Sequence, residues 1–229
     1  MVRLVLFDVD GTLIRTRGAG VEAFARTFAA EFGIRDGVKG VQFAGRTDRS
    51  LVREVFVRHD VPATEANFLR FFGRYVVELE DLLHGNGGHV IPGVWEFLRA
   101  LQALARPPVL GLLTGNIRLG AELKLRRFGL WEWFRVGGFG DDHEDRSQIA
   151  AVARDRASRM LGDVLRGDQI VVVGDTPHDV RCGRAIGARV LAVATGGCPA
   201  ADLRPLQPDW LVEGLGQVSA AEVCSATLS

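Results

Sequence analysis

Acidic side chains follow two of the apolar segments of this sequence. Asp8 and Asp10 come directly after the first segment, and Asp175 and Asp179 come shortly after a later one. The two carboxylates at i, i+2 spacing can reach one place if the chain leaves the extended conformation, which Gly11 permits. Burying carboxylates together without a cation is costly, and carboxylate oxygens are the ligands that Mg²⁺ prefers. We therefore expect these four aspartates to hold a divalent metal ion, Mg²⁺.

Hydrogen-bond donors and a cation follow other apolar segments. Thr114 is followed by Gly115 and Asn116, whose amides we expect to open a helix and attract an anion. Arg146 ends an acidic loop further along the chain. A metal ion, carboxylates, a hydroxyl and a guanidinium together suit a phosphoryl group, because its anionic oxygens must be neutralised during transfer. Thr114 would bind the phosphate, and it could at the same time be the N-cap of the helix.

Five short apolar runs have the length of buried strands. Uninterrupted apolar strands predict a parallel sheet with both faces covered, and from about residue 90 they alternate with helical patterns. The sequence therefore predicts an α/β fold. In an open parallel sheet, ligands bind beyond the carboxyl ends of the strands, which is where the polar residues above lie. The runs are residues 4–7, 109–113, 136–139, 170–173 and 190–193.

A long insertion separates the first two runs. Residues 8–108 lie between them, far more than one crossover helix needs, and apolar residues at helical spacing occur there without a convincing strand. We predict a helical cap domain over residues 16–84, inserted into a core domain formed by residues 1–15 and 85–229. The glycine-rich residues 85–88 would be the linker at which the core resumes, because glycine gives a hinge its backbone freedom.

The overall charge and the cysteine content narrow the function further. The 229 residues include 28 basic and 28 acidic ones, so a net charge of zero argues against nucleic acid or an anionic membrane as partner. The three cysteines lack the spacing of a zinc site or a disulfide framework. No apolar stretch approaches membrane-spanning length. We expect a cytoplasmic protein that acts on a small molecule, and nothing in the sequence indicates its oligomeric state.

The motifs DVDGT at residues 8–12 and GDTPHD at residues 174–179, with Thr114 and Arg146 between them, resemble the haloacid dehalogenase superfamily. The resemblance covers essentially the whole chain and is to the phosphatase branch with a helical (C1-type) cap, which includes phosphoglycolate phosphatases. It implies a Rossmann-like, doubly wound core and Mg²⁺ as cofactor. The implied activity is hydrolysis of a small-molecule phosphomonoester through an aspartyl-phosphate intermediate.

The resemblance also implies a role for each acidic residue. Asp8 would be the nucleophile, which suits a carboxylate beside a metal ion and facing a phosphate. Asp10 would protonate the leaving alcohol and then take a proton from the attacking water, and its main-chain carbonyl would bind the metal. Asp175 would be the metal-binding carboxylate. Asp179 would support the metal through water or orient the cation, or it would be only a charge in the first turn of a helix.

The cation and the cap residues leave alternatives open. Most relatives carry lysine where this chain has Arg146, and a planar guanidinium is not equivalent to an ammonium. Lys124 is the alternative phosphate-binding cation, unless it is a solvated lysine on a helix. In the cap, Arg46 could bind a substrate carboxylate or a second phosphate, or it could be a surface arginine beside an N-cap at Thr47.

Two other functions fit the same motifs. A β-phosphoglucomutase-like enzyme would transfer the phosphoryl group within a sugar phosphate, and the motifs do not exclude it. A catalytically silent binding protein would keep the fold without turnover, although every catalytic position here carries a competent side chain. Dehalogenation is disfavoured by Asp10, because that branch of the superfamily lacks the second acidic residue.

Overall fold

Strands and helices alternate along most of the computed structural model, which describes residues 1–85 and 87–225. The strands are β1 (Leu4–Phe7), β2 (Ile14–Arg15), β3 (His89–Val90), β4 (Val109–Leu113), β5 (Val136–Gly138), β6 (Ile170–Gly174), β7 (Arg189–Val193) and β8 (Trp210–Val212). The helices are α1 (Ala19–Phe32), α2 (Asp48–Arg58), α3 (Glu65–Gly85), α4 (Val94–Gln102), α5 (Arg118–Arg127), α6 (Arg146–Leu161), α7 (Pro177–Ala185), α8 (Ala200–Leu203) and α9 (Ala220–Cys224).

Six of the strands form one parallel sheet in the order β5-β4-β1-β6-β7-β8. Strand β1 lies between β4 and β6, and Phe7 near its end is in register with Leu112 and Val173. This register brings the residues that follow β1, β4 and β6 to one edge of the sheet. The predicted α/β fold is confirmed, and each of the five predicted runs forms a strand within one residue of its predicted ends.

Three strands escaped prediction from the sequence. Strand β8 consists of three half-buried residues at the edge of the sheet, so it lacks the fully apolar run that marks an interior strand. Strands β2 and β3 pair antiparallel, Ile14 with Val90, at the two ends of the long insertion. Strands of two residues are too short to leave a recognisable period in a sequence.

Alternate side chains of β1 enter two hydrophobic cores on opposite faces of the sheet. Val5 and Phe7 belong to the core beneath α4, and Leu4 and Leu6 belong to the core beneath α6. All four side chains are fully buried. A strand that is covered on both faces has a continuous run of apolar residues in its sequence. Its burial also fixes the position of Asp8, which follows it directly.

Helices α1, α2 and α3, here called the helical insert, enclose a hydrophobic core of their own. This core is largely aromatic: the ring centroids of Phe24 and Tyr75 are 4.9 Å apart. The predicted domain boundaries at residues 16–84 stay a prediction; α3 continues to Gly85, and Asn86 of the predicted linker lies outside the described residues. Within the described ranges, no helix combines the length and apolar character needed to cross a membrane.

Candidate active site

Three buried carboxylates meet where β1 and β6 end side by side. Asp8, Asp175 and Asp179 each offer an oxygen, and these oxygens lie within 4.8 Å of one another. Gly11 makes room for them, because a β-carbon at that position would lie 2.6 Å from Oδ2 of Asp175. Burial raises the pKa of Asp8 to about 7 and that of Asp175 to about 8. Carboxylates this close together and this well buried are suited to a divalent cation.

Arg146 is the cation beside this cluster. It begins α6, and its side chain is only 6% exposed. Its Nη2 lies 3.3 Å from Oδ1 of Asp8 and also donates a hydrogen bond to Asp179. Burial alone would lower the pKa of Arg146, but the charges of Asp179 and Asp8 raise it, so the guanidinium stays charged. Of the two candidate cations, Arg146 is therefore the one that contacts Asp8.

Asp179 has two separate tasks, one for each carboxylate oxygen. Oδ1 accepts the hydrogen bond from Arg146. Oδ2 accepts hydrogen bonds from the amide and the hydroxyl of Thr176, at 2.9 and 2.6 Å, and so closes a capping box at the start of α7. Asp179 thus orients the cation and is also a first-turn charge. Because both of its oxygens are already engaged, it has less capacity for a metal ion than Asp8 or Asp175.

The carboxylate of Asp10 lies apart from the three-carboxylate cluster. Its Oδ2 accepts hydrogen bonds from Nζ of Lys124 at 2.7 Å and from Nδ2 of Asn116 at 2.8 Å. The Lys124 side chain is only 5% exposed, so the interpretation of a solvated helical lysine is wrong. The physical reason is that the helical insert packs on α5: α3 contacts α5, and a β-carbon at Gly20 of α1 would lie 3.4 Å from Nζ of Lys124. Any metal binding by Asp10 would fall to its main-chain carbonyl.

The helix that follows β4 begins later than predicted. Because α5 starts at Arg118, Thr114 is not its N-cap. The Thr114 hydroxyl oxygen instead accepts hydrogen bonds from the amide and the side chain of Asn116, at 3.2 and 2.8 Å. The expected helix opening at Gly115 and Asn116 is also wrong, because α5 begins only at Arg118. The Gly115 carbonyl accepts a hydrogen bond from the amide of Asp48 in α2, at 2.8 Å. This segment is tied to the helical insert rather than wound into a helix.

A cavity of about 630 Å³ lies between the helical insert and the carboxyl ends of the strands. Asp8, Asp10 and Arg146 line it from the sheet side, and Phe24 and Tyr75 line it from the insert. A concave site of this size, with apolar walls and a few polar groups, is typical of one that binds a small molecule.

Comparison with known proteins agrees with this geometry. A family model described as haloacid dehalogenase-like hydrolase matches residues 5–193. The chain belongs to this family. A phosphoglycolate phosphatase of Synechococcus elongatus is 28% identical, with 93% of each chain covered, and the pyrophosphatase PpaX of Halalkalibacterium halodurans is 25% identical, with 93% of this chain and 94% of that one covered.

Solved structures support the fold of this haloacid dehalogenase-like hydrolase. The crystal structure of a CbbY variant from Rhodobacter sphaeroides in complex with xylulose-(1,5)bisphosphate has a TM-score of 0.73 at 19% identity, over 95% of this chain and 96% of that one. The structure of a predicted phosphoglycolate phosphatase from Haemophilus somnus has a TM-score of 0.71 at 20% identity, over 94% and 96%. The resemblance found in the motifs is confirmed, and this hydrolase is a phosphatase.

Arg46 of this phosphatase lines the cavity but already has partners within the helical insert. Its guanidinium pairs with Glu54 and also donates to the carbonyl of Ser50 at 3.3 Å. Thr47 is the N-cap of α2 and accepts a hydrogen bond from the amide of Ser50 at 3.3 Å, as expected. Arg46 therefore has features of both alternatives, and its contact with substrate stays a prediction.

Two residues of the helical insert to which the sequence assigned no role also face the cavity. Asp48 is buried, and its Oδ2 accepts a hydrogen bond from the amide of Ile117 at 2.8 Å. Burial raises the pKa of Asp48 to about 7, although the charge of Lys124 acts in the opposite direction. Tyr75 is the second residue. Tyr75 has no neighbouring motif to mark it, because it reaches the site only through the packing of the insert on the sheet.

Glu144 connects the sheet side of the site to the helical insert. Its carboxylate accepts hydrogen bonds from Arg53 at 2.6 Å and from Arg49 at 3.2 Å. Its carbonyl accepts a hydrogen bond from the hydroxyl of Thr47 at 3.0 Å. The hydrogen bond from Arg53 is the main reason why the pKa of Glu144 is lowered. These contacts hold α2 over the cavity.

Proposed function

We propose that this chain is a Mg²⁺-dependent phosphatase that hydrolyses a small-molecule phosphomonoester through an aspartyl-phosphate on Asp8. The observation that carries the proposal is the setting of Asp8. It is a buried carboxylate at a strand end, 3.3 Å from the guanidinium of Arg146, and it lines the cavity. A carboxylate in such a place can act as a nucleophile once the phosphoryl oxygens facing it are neutralised.

Asp8, Asp175 and the main-chain carbonyl of Asp10 are the groups that would hold Mg²⁺. They fit this ion because Mg²⁺ takes oxygen ligands, and because burial without a further cation raises the pKa of both carboxylates. When bound, Mg²⁺ supplies positive charge next to the phosphoryl oxygens and so reduces their repulsion of Asp8. Asp179 would contribute by orienting Arg146.

The side chains divide two half-reactions between them. In the first, an oxygen of Asp8 bonds to phosphorus while the bond from phosphorus to the leaving oxygen breaks, and Asp10 gives that oxygen a proton. In the second, Asp10 takes a proton from a water molecule that bonds to phosphorus, and the bond between phosphorus and Asp8 breaks. The Asp10 side chain is 41% exposed, so the leaving group and water can both reach it. Arg146 and Thr114 would bind the phosphoryl oxygens throughout.

Phosphoglycolate is the first candidate substrate, and pyrophosphate, an anhydride rather than an ester, is the alternative to it. Both suggestions come from the names of relatives that align over more than nine-tenths of this chain. Arg46 is the residue of the helical insert that would meet a carboxylate or a second phosphate. Lys124, together with the Gly115 and Asn116 amides, would assist phosphate binding on the sheet side.

Phosphate release from phosphoglycolate, pyrophosphate, sugar phosphates and an aryl phosphate tests the proposal. We expect activity with Mg²⁺, none in EDTA, and poor replacement by Ca²⁺, whose larger and looser coordination suits in-line attack less well. Asp8→Asn should abolish turnover, whereas Asp168→Asn, which changes an exposed aspartate elsewhere, should leave it unchanged. Hydrolysis by Asp8→Asn at the wild-type rate would contradict the proposal, and an isomerised sugar phosphate would favour the mutase.

A further inference from the structure

Tyr75 has a hydroxyl with no hydrogen-bond partner among the residues that the structure describes. The residue is only 1% exposed, and its ring packs against Phe24 and Phe71 in the core of the helical insert. None of the hydrogen bonds among residues 1–85 and 87–225 involves its Oη. A phenylalanine would make the same ring contacts, so the hydroxyl is not needed for packing. The hydroxyl therefore needs an explanation.

The cavity supplies that explanation. Tyr75 lines the cavity. The protein does not enclose its Oη completely, so the hydroxyl is open to the cavity. Hydroxyls at the wall of a binding cavity commonly serve to orient a ligand. Burial, and to a smaller extent the charges of Asp48 and Asp10, raise the pKa of Tyr75 well above its usual value. Its hydroxyl thus stays protonated and available as a donor.

The position of the hydroxyl within the cavity indicates which part of a substrate it would meet. A β-carbon at Gly20 in α1 would lie 4.0 Å from Oη of Tyr75 and 3.4 Å from Nζ of Lys124. Gly20, Tyr75 and Lys124 all line the cavity, so these two polar atoms border the same space within it. Because Nζ of Lys124 contacts Asp10, this space lies on the side of the proposed acid and base, beyond the carboxylate cluster. It is the side on which a leaving group would sit.

We propose that Tyr75 is a specificity-determining residue whose hydroxyl donates a hydrogen bond to an oxygen of the leaving group. The favoured substrates are then phosphate esters of small oxygen-bearing alcohols, either hydroxy acids or polyols, over esters of plain alkyl alcohols. This inference rests on the proposed phosphatase chemistry, since it concerns the leaving group of that reaction.

A specificity ratio tests the inference. We would measure kcat/KM for phosphoglycolate and for glycerol phosphate, each divided by kcat/KM for ethyl phosphate, in the wild type, in Tyr75→Phe and in Phe72→Leu. One lost hydrogen bond corresponds to about 10-fold, so at least one ratio should fall by about that factor in Tyr75→Phe. The Phe72→Leu control changes another ring that packs against Tyr75 and should leave both ratios unchanged. Unchanged ratios in Tyr75→Phe would overturn the inference.

Tyr75 is the single tyrosine of the chain, which allows a readout that does not depend on turnover. Incorporated fluorotyrosine gives one fluorine NMR signal, and the Asp8→Asn background prevents hydrolysis. With Mg²⁺ present, phosphoglycolate or glycerol phosphate should shift this signal further than ethyl phosphate does at saturation. Equal shifts would overturn the inference about Tyr75. Failure of the wild type to hydrolyse any phosphate ester would instead overturn the proposed function.

Discussion

Replacing Arg146 with methionine should destabilise the metal-free protein strongly. Arg146 is the guanidinium that contacts both Asp8 and Asp179, and those carboxylates are 7% and 0% exposed. Removing one partner of a buried ion pair leaves an uncompensated charge and costs about 3–5 kcal/mol. For a chain of this size, 1 kcal/mol shifts Tm by about 2–4 °C, so the expected loss is roughly 6–20 °C.

The assay is thermal unfolding in EDTA, compared at pH 8.5 and pH 5. Burial raises the pKa of Asp8 to about 7 and that of Asp175 to about 8, so both are largely ionised at the higher pH and protonated at the lower one. The loss in Arg146→Met should therefore be larger at pH 8.5. Arg154→Met is the matched control, because Arg154 lies in the same helix, is 34% exposed and pairs with its neighbour Asp155. The control should cost less than about 1 kcal/mol.

Added Mg²⁺ should narrow the gap between Arg146→Met and the wild type. A ligand at 100 times its Kd stabilises the native state by about 2.7 kcal/mol, and the variant has lost the cation that competes with the metal for Asp8. If Arg146→Met and Arg154→Met lose the same stability in EDTA at pH 8.5, the picture of a buried carboxylate cluster balanced by Arg146 is refuted.

Three further perturbations give distinct results. Asp10→Asn should reduce hydrolysis of alkyl phosphates by about 10²–10⁴-fold, the usual range for a general acid and base, and steady-state kinetics would contradict this role if kcat/KM were unchanged. Asp48 has its pKa raised from 3.8 to about 7, so the native state holds a proton that the unfolded chain loses, and wild-type stability should fall as pH rises between these values. The asparagine in Asp48→Asn can still accept the hydrogen bond from the amide of Ile117. The free energy of unfolding of this variant, measured in urea, should therefore depend less on pH than that of the wild type. An equally steep pH dependence would count against the raised pKa of Asp48. Glu144→Gln removes the charge that faces Arg53. The KM of this variant should therefore rise by up to about 5-fold at low salt and converge with the wild-type KM at high salt. An equal difference in KM at all salt concentrations would disprove the ionic contact.

The residues that could be predicted from the sequence are those that follow a strand directly. Asp8, Asp175 and Arg146 each stand near the end of an apolar run or at the start of a helix, and a parallel sheet brings such positions to one edge. For these three side chains, the local sequence and the sheet topology therefore predict the same position. The fold was predictable for the same reason, because buried strands and amphipathic helices leave periods in the chain.

The features that the sequence could not predict depend on contacts between distant segments. Tyr75 is one more aromatic residue on the buried face of α3, and only the packing of the helical insert turns its hydroxyl towards the cavity. Lys124 is a lysine on a helix whose burial depends on the packing of the helical insert on α5. The sequence predicts Thr114 at a helix start, whereas in the structure the amide of Asp48 donates a hydrogen bond to the carbonyl of Gly115. This bond spans 67 positions of sequence and so leaves no local pattern.

Detection of a phosphoryl group on Asp8 is the most direct test of the central claim. In Asp10→Asn, an aryl phosphate should still phosphorylate Asp8, because its leaving group needs no proton, whereas hydrolysis of the aspartyl-phosphate should be slow without the base. Acid quenching during turnover, followed by peptide mass spectrometry, should find the added phosphoryl group on the peptide that contains Asp8. Continued release of the aryl alcohol with no phosphoryl group on Asp8, or with that group on another residue, would contradict the claim.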